Sequence, residues 1–327
     1  MKATSFVLLG FLAAVAIGLG KPPPATAAET ITMVTTGRGS AQQWPIFVAI
    51  SKGYMAENNV ALDLIAAPST ALAMQQIAAG SANLASGGLT DPLLAIDRGA
   101  KIAVLRVETQ VAPYSLWAKP AIKSITELRG KLISIGGATD ITRIYLERTL
   151  IPNGVKPGEY DMIFAGTTAA RFAALSSGAV DAALFVPPFS FKAKSIGLSH
   201  LADVGDYTGG LPFTGYATNT AWAMAHKPLL LGFLGAMAKG VDWFNLDANR
   251  NEAIDIMAKE SVMDRPDLEA TYDYYRRLHI FDHKGAIESA TVGNLIKAME
   301  DMHNFDGPRD IGRFIDPEIT GLAAQVN

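Results

Sequence analysis

The chain has no cysteine at all. That excludes disulfides, thiolate zinc sites, iron–sulfur clusters, thiol nucleophiles and lipidation of an N-terminal cysteine. It also lacks an excess of basic charge: 28 Lys and Arg stand against 31 Asp and Glu, a net of −3. No nucleic-acid partner is expected from such a balance. Neither G-x-x-x-x-G-K-[ST] nor G-x-S-x-G occurs, so phosphate-loop and nucleophile-elbow chemistry have no anchor. Histidines are few. His279 and His283 are four apart with Asp282 between them, but Ile280 stands where a zincin needs glutamate, so they read as surface histidines of a helix. Asp and Glu form no metal-binding cluster, and no metal is expected. Gly37-x-Gly39 follows a predicted strand, and Asp63 lies 24 positions beyond Gly39. Gln42 replaces the third glycine of a dinucleotide fingerprint, however, and no cofactor is expected.

Long apolar runs are confined to the start. Lys2 gives a positive first segment, Phe6 to Leu19 carries no charge, and Lys21, Pro22–Pro24 and Ala25–Thr26–Ala27 follow. This is the layout of a cleaved secretory signal, residues 1–27, with the cut after Ala27 or after Ala28. The apolar stretch is shorter than the roughly 20 residues of a spanning helix. Removing Lys2 and Lys21 takes the net charge from −3 to −5. The expected location is the periplasm, where ATP and NAD are not currency. The most apolar later stretch, Leu229 to Ala238, is too short to span a membrane.

What is present suits a large folded chain. There are 327 residues, 49% of them hydrophobic, enough for about two domains. Apolar runs at Ile31–Thr36, Val60–Ala66, Asn83–Ser86 and Ile102–Val107 alternate with helical patterns at Pro45–Lys52, Pro68–Ala79 and up to Arg98. The alternation predicts an α/β fold with a doubly wound, mostly parallel sheet. A second unit of the same kind begins near Lys119, with strands at Leu132–Gly136, Met162–Ala165, Ala182–Val186 and Leu201–Val204. Tyr216–Met224 reads as a strand returning to the first unit, and the chain beyond Pro228 is mostly helical. Ala71–Ala85 and Ala169–Ala183 echo one another, with Gly80 and Gly178 lying 98 positions apart.

Ligands of open α/β sheets bind beyond the C-terminal ends of strands. Here those ends carry Gly37–Ser40, Ser69–Thr70, Gly87–Thr90 and Gly137–Asp140, each before a helix start. Free N–H groups and the dipole at such starts attract anions, at about 0.3–1 kcal/mol per helix. The candidate ligand-binding residues are therefore Thr36, Ser40, Ser69, Thr70, Gly88, Thr90, Thr139 and Asp140. Arg38 and Arg143 are candidate anion forks, Trp44 and Phe189, the latter after Pro188, candidate stacking platforms, and Gln110 a candidate amide donor. Arg171 reads as a surface residue. Asp91 with Asp140 is the one titratable pair an enzyme might use, and both read better as first-turn helix acids; no catalytic residue is assigned.

Several stretches carry a resemblance. They are Pro45–Ala49 with Lys52–Glu57, Val60–Leu64, Ala78–Asn83, Ile125–Lys131, and Ala170–Leu175 with Ser177–Ala183. In order and spacing they resemble periplasmic substrate-binding proteins of ABC importers for nitrate, sulfonates and taurine. These lie within the thiamine-pyrimidine-synthase-like superfamily. The resemblance implies a type II two-lobed binding protein, with the ligand cleft between the lobes. Lobe 1 would be residues 28–115 and 216–327, lobe 2 residues 116–215, with hinges near Pro113–Lys119 and Leu211–Ala217. It further implies capture of a small organic anion (a sulfonate, a taurine-like compound or an aromatic carboxylate) by hinge closure. The partners it implies are a membrane permease with a cytosolic ATPase, and a monomer suits a hinge protein. Asn83 stands where the family often has Asp. Two alternatives stay open: a neutral pyrimidine as ligand, or a sensory module that presents its ligand to a receptor. The superfamily's pyrimidine-synthesising enzyme relies on a cysteine-rich motif absent here, and Thr35–Thr36–Gly37 replaces the Asp-Trp signature of pyrimidine binders.

Overall fold

The computed structural model describes residues 28–37 and 39–326. The expected signal segment and Arg38 lie outside the described residues. Ten strands form two five-stranded sheets. The first sheet takes β1 (Glu29–Thr36), β2 (Val60–Ala67), β3 (Leu84–Gly88) and β4 (Ile102–Thr109). The second takes β5 (Ser115–Ala118), β6 (Leu132–Ile135), β7 (Asp161–Phe164), β8 (Ala182–Phe185) and β9 (Ser199–Asp203). The chain then returns to the first sheet as β10 (Thr214–Asn219).

The strand orders are β2-β1-β3-β10-β4 and β7-β6-β8-β5-β9. Each sheet is parallel except for one strand, β10 in the first and β5 in the second, which runs against its neighbours. These inserted strands are the ones that arrive from the other lobe. Both lobes thus share one topology, which is the physical content of the internal echo. Ser69 caps the Thr70–Ala78 helix and Thr167 caps the Thr168–Ser176 helix. Gly80 and Gly178 end those helices in the left-handed region, at φ 76° and 78°. Asn83 Oδ1 then accepts the Thr32 N–H at 2.8 Å, and Asp181 Oδ2 accepts the Leu132 N–H at 3.0 Å. Asp181 also pairs with Lys119 at 2.8 Å. An amide satisfies the backbone bond as well as a carboxylate does, so asparagine is tolerated at 83.

Several boundaries differ from the sequence expectations. β10 ends at Asn219, whose side chain caps a new helix, Thr220–Ala225, by accepting the Trp222 N–H at 3.1 Å. A strand continuing to Met224 is thereby ruled out. Ser115–Ala118 is a strand of the second sheet, so the first crossover lies at residues 110–114, earlier than expected. The second crossover precedes Thr214. Thr109 and Thr214 join their hydroxyls at 2.7 Å where the two crossovers leave the first sheet. His279 takes φ +47° just past the Arg265–Leu278 helix, and His283 lies in the loop beyond, with Nδ1 2.7 Å from Asp242 Oδ1. They do not share a helix face.

The helices after β10 pack mainly on the first lobe. Trp44, Phe47 and Val48 form one apolar cluster with Val241, Phe244, Met257, Leu268 and Tyr275. The Ser289–Asp301 helix contributes Val292 and Leu295 to a cluster that runs from Leu93 and Val107 of the first lobe to Ile133 and Leu146 of the second. Each large side chain in these clusters contributes about 1.5–3 kcal/mol by leaving water.

Candidate functional site

Three helices of eight residues or more aim their N-termini at one cavity between the sheets. Ser69 Oγ accepts the Leu72 N–H at 3.3 Å, Asp140 Oδ1 accepts the Thr142 N–H at 2.9 Å, and Thr167 Oγ1 accepts the Ala170 N–H at 3.3 Å. The cavity measures about 70 Å³. The first lobe contributes Thr36, Ser40, Gln42, Gln43, Pro68–Thr70, Ser86–Gly88 and Thr214. The second lobe and its connections contribute Tyr114, Gly136, Asp140, Gly166–Thr168, Arg171, Val186 and Phe213.

The lobes touch at its edges. A Cβ on Gly166 would lie 2.3 Å from the Pro68 carbonyl oxygen of the opposite lobe, and a Cβ on Gly88 would lie 3.0 Å from Ile141. Glycine at 166 lets the two backbones approach, and glycine at 88 leaves room for the Ile141 side chain. The structure is therefore that of a closed clamp.

Arg171 was expected at the surface and is instead buried, 2% exposed. It lies one turn into the Thr168–Ser176 helix, and its side chain leans back towards the helix start. Nε donates to the Leu184 carbonyl at 2.9 Å, Nη1 to the Gly166 carbonyl at 2.5 Å and Nη2 to Thr168 Oγ1 at 2.8 Å. Nη2 also reaches the Tyr114 hydroxyl at 3.4 Å. All four acceptors are neutral. Among the described residues Arg171 has no carboxylate within ion-pair distance, and a buried charge without a counter-ion is costly. Burial pushes the Tyr114 hydroxyl up to about 12, against the opposing pull of Arg171, so it stays a neutral donor.

Asp140 supplies the opposite charge. Both of its hydrogen bonds, from the Thr142 N–H and hydroxyl, fall on Oδ1. Oδ2 is left without a partner among the described residues. Asp140 faces Asp91 across the lobes, and Asp91 is pushed up to about 8, first by burial and then by the Asp140 charge. Asp91 sits in the first turn of its helix as expected, whereas Asp140 is a cap and not a first-turn acid.

The remaining expected residues separate into two groups. Thr36, Ser40, Ser69, Thr70, Gly88 and Asp140 line the cavity. The others do not. Trp44 is wholly buried in the first lobe's core, where its indole N–H donates to the Ala253 carbonyl at 2.9 Å. Thr90 is buried with its hydroxyl unpartnered among the described residues. Thr139 lines a different groove, beside Asp91. Arg143 pairs with Glu147 at 3.0 Å, and Gln110 donates to the Ala286 carbonyl at 3.1 Å. Pro188 is buried at the start of the Phe189–Ser195 helix, and Phe189 packs on Phe172.

Arg171, Tyr114 and the loop Gly166–Thr168 are among the lining residues absent from the sequence candidates. The repeat carried the signal. Ninety-eight positions before Arg171 stands Ala73, which is fully buried. An inward register at Ala73 marks an inward register at Arg171.

The family comparison agrees with this architecture. The NMT1/THI5-like family profile matches residues 40–247. No curated protein sequence matches significantly. Among solved structures, the chain is similar to the alkanesulfonate-binding protein SsuA of Xanthomonas axonopodis pv. citri bound to MOPS. The identity is 17% over 90% of this chain and 99% of that one, with a TM-score of 0.70. The nitrate-binding protein NrtA of Synechocystis PCC 6803 is 12% identical over 90% of this chain and 88% of that one, with a TM-score of 0.74. A ligand-binding component of an ABC-type import system from Staphylococcus aureus, with zinc bound, is 15% identical over 90% of this chain and 99% of that one, TM-score 0.75. The shared fold is that of two-lobed periplasmic binding proteins, and with its profile spanning most of the described residues this chain belongs to the NMT1/THI5-like family.

Proposed function

We propose that this protein is the exported substrate-binding component of an ABC importer, and that it encloses a small organic anion between its lobes for delivery to a membrane permease. The observation that carries this reading is Arg171, a buried cation with only neutral partners on the wall of an interlobe cavity. An anionic group in that cavity would supply the missing counter-charge, and three helix N-termini would add to it. Cavity size narrows the ligand. A dry cavity of about 150 Å³ holds benzene, so about 70 Å³ suits a small acid or the head of a larger one. Asp140 in the same wall favours a ligand that also carries an amine, as a taurine-like zwitterion does. We take the lobes with the expected bounds, except that Ser115 belongs to lobe 2 and Thr214–Gly215 to lobe 1, and the cycle as binding to the open form followed by hinge closure.

Catalysis finds less support. Asp140 spends Oδ1 on its own helix, and Asp91 lines the neighbouring groove with Thr139. Among the described residues no three His, Asp or Glu side chains gather as a metal site.

A thermal-shift panel of nitrate, methanesulfonate, taurine, benzoate and neutral pyrimidines tests the reading. A ligand at 100 times its Kd adds about 2.7 kcal/mol of stability. The expected result is a rise confined to acids and greatest for taurine. A rise confined to pyrimidines would overturn the anion assignment.

A further inference from the structure

A second and larger cavity lies behind the first. It measures about 350 Å³, against about 70 Å³ for the interlobe cavity. The two share a wall. Along the first crossover Tyr114 lines the interlobe cavity, while its neighbours Pro113 and Ser115 line the other. At the end of β8, Val186 faces the first and Pro187 the second. Side chains alternate on an extended backbone, so these neighbouring residues face opposite cavities and one stretch of chain separates the two.

The second cavity also spans the lobes. Trp117, Phe191, Lys194 and His200 come from the second sheet and its helix, and Tyr274 and Arg277 from the Arg265–Leu278 helix of the first lobe. Its walls are aromatic. Trp117 meets His200 edge-on at 5.0 Å, and Phe191 meets Tyr274 edge-on at 6.0 Å, across the lobes. Its charge is positive. Asp203 in the wall already holds His200 at 3.0 Å. Lys194 and Arg277 have no carboxylate within ion-pair distance among the described residues, whereas nearby Lys192 is paired with Asp264 at 2.6 Å. Arg277 lies over the Tyr274 ring at 5.2 Å, which holds its guanidinium against the aromatic wall.

We infer that this cavity is a second binding site, and that its ligand is a planar aromatic acid, held by the rings and by the two unpaired cations. An aromatic body fits a volume above the roughly 150 Å³ that takes benzene, and the acid joins Lys194 to Arg277 across the lobes. Occupancy therefore favours the closed form. The site is independent of the ligand proposed for the interlobe cavity, since a two-ring acid exceeds that space.

Isothermal titration of the mature protein with naphthalene-1-sulfonate tests the site. Saturable one-to-one binding is expected, at least tenfold tighter than that of neutral naphthalene-1-methanol. Lys194→Glu with Arg277→Glu should weaken it at least tenfold, and Lys194→Gln with Arg277→Gln by less. Asp203→Asn, which removes the carboxylate from the wall, should tighten it. All of these side chains are at the surface, so the variants are expected to fold, and far-ultraviolet circular dichroism checks this. Unchanged affinity in the charge-reversed variant, or no saturable binding to the wild type, would overturn the proposal. Small acids should still shift the melting temperature of the charge-reversed variant, and this separates failure here from failure of the interlobe reading.

Discussion

Asp91 shows how a single residue reports the state of the clamp. Burial and the facing Asp140 raise it from its ordinary 3.8 to about 8. A carboxyl raised in the folded state binds a proton that the unfolded chain has already lost. The associated stability is present in full below about pH 4 and is lost as pH rises through about 8. Glu108, buried behind the cavity wall and bonded to Tyr216, is raised to about 7 and acts in the same direction. Asp91→Asn should therefore flatten the fall in melting temperature between pH 4 and pH 8 without abolishing it. The variant should also be more stable than the wild type at pH 9, where the wild type carries a buried charge. An unchanged slope would mean that Asp91 is hydrated and that the lobes are apart in solution. Little of this was legible beforehand. The sequence shows two acids each next to a helix start, and only the approach of the lobes makes them neighbours. Arg171 failed for another reason: arginine is usually exposed, and the burial of Ala73 in the same register is visible only in the structure.

Elements were easier to read than contacts, because their signals are local. The Thr70–Ala78 helix and most strands fall within a residue or two of expectation, since helix caps and left-handed glycines mark their ends. The errors came where two elements abut. Asn219 both ends β10 and caps the next helix, so an apolar run crossed the boundary unnoticed. Glycine's two uses can be separated by experiment. Gly80 and Gly166 both have positive φ, 76° and 67°. A Cβ on Gly80 meets nothing within 4 Å, whereas one on Gly166 lies 2.3 Å from Pro68 of the other lobe. Alanine at either position should cost about 1 kcal/mol or more in backbone strain. Only Gly166→Ala should also block closure, with ligand affinity falling at least tenfold while Gly80→Ala binds as the wild type does. Equal affinities, read by titration, would mean that the Pro68–Gly166 approach is not part of the bound state.

At the scale of the whole molecule the question is what holds the clamp shut. The two lobes share an apolar cluster through the Ser289–Asp301 helix, and their crossovers are laced by Thr109 and Thr214. These lie at the hinge, where they restrict the path of closure without choosing between open and closed. The Lys192–Asp264 pair is different: it joins the lobes at 2.6 Å. Its Asp264 side chain is 70% exposed, however, and an exposed pair contributes about 0.2–1 kcal/mol. Arg171 is in place but lacks a counter-charge, so the closed form without ligand keeps an electrostatic debt inside its own cavity. The ligand, and not the surface pair, should therefore decide closure. Asp264→Asn is expected to weaken ligand binding no more than about fivefold, an effect that fades as salt screens the wild-type pair. Small-angle scattering should show the same contraction on ligand addition in both proteins. A variant that no longer contracts would move control of the clamp from the interlobe cavity to its rim.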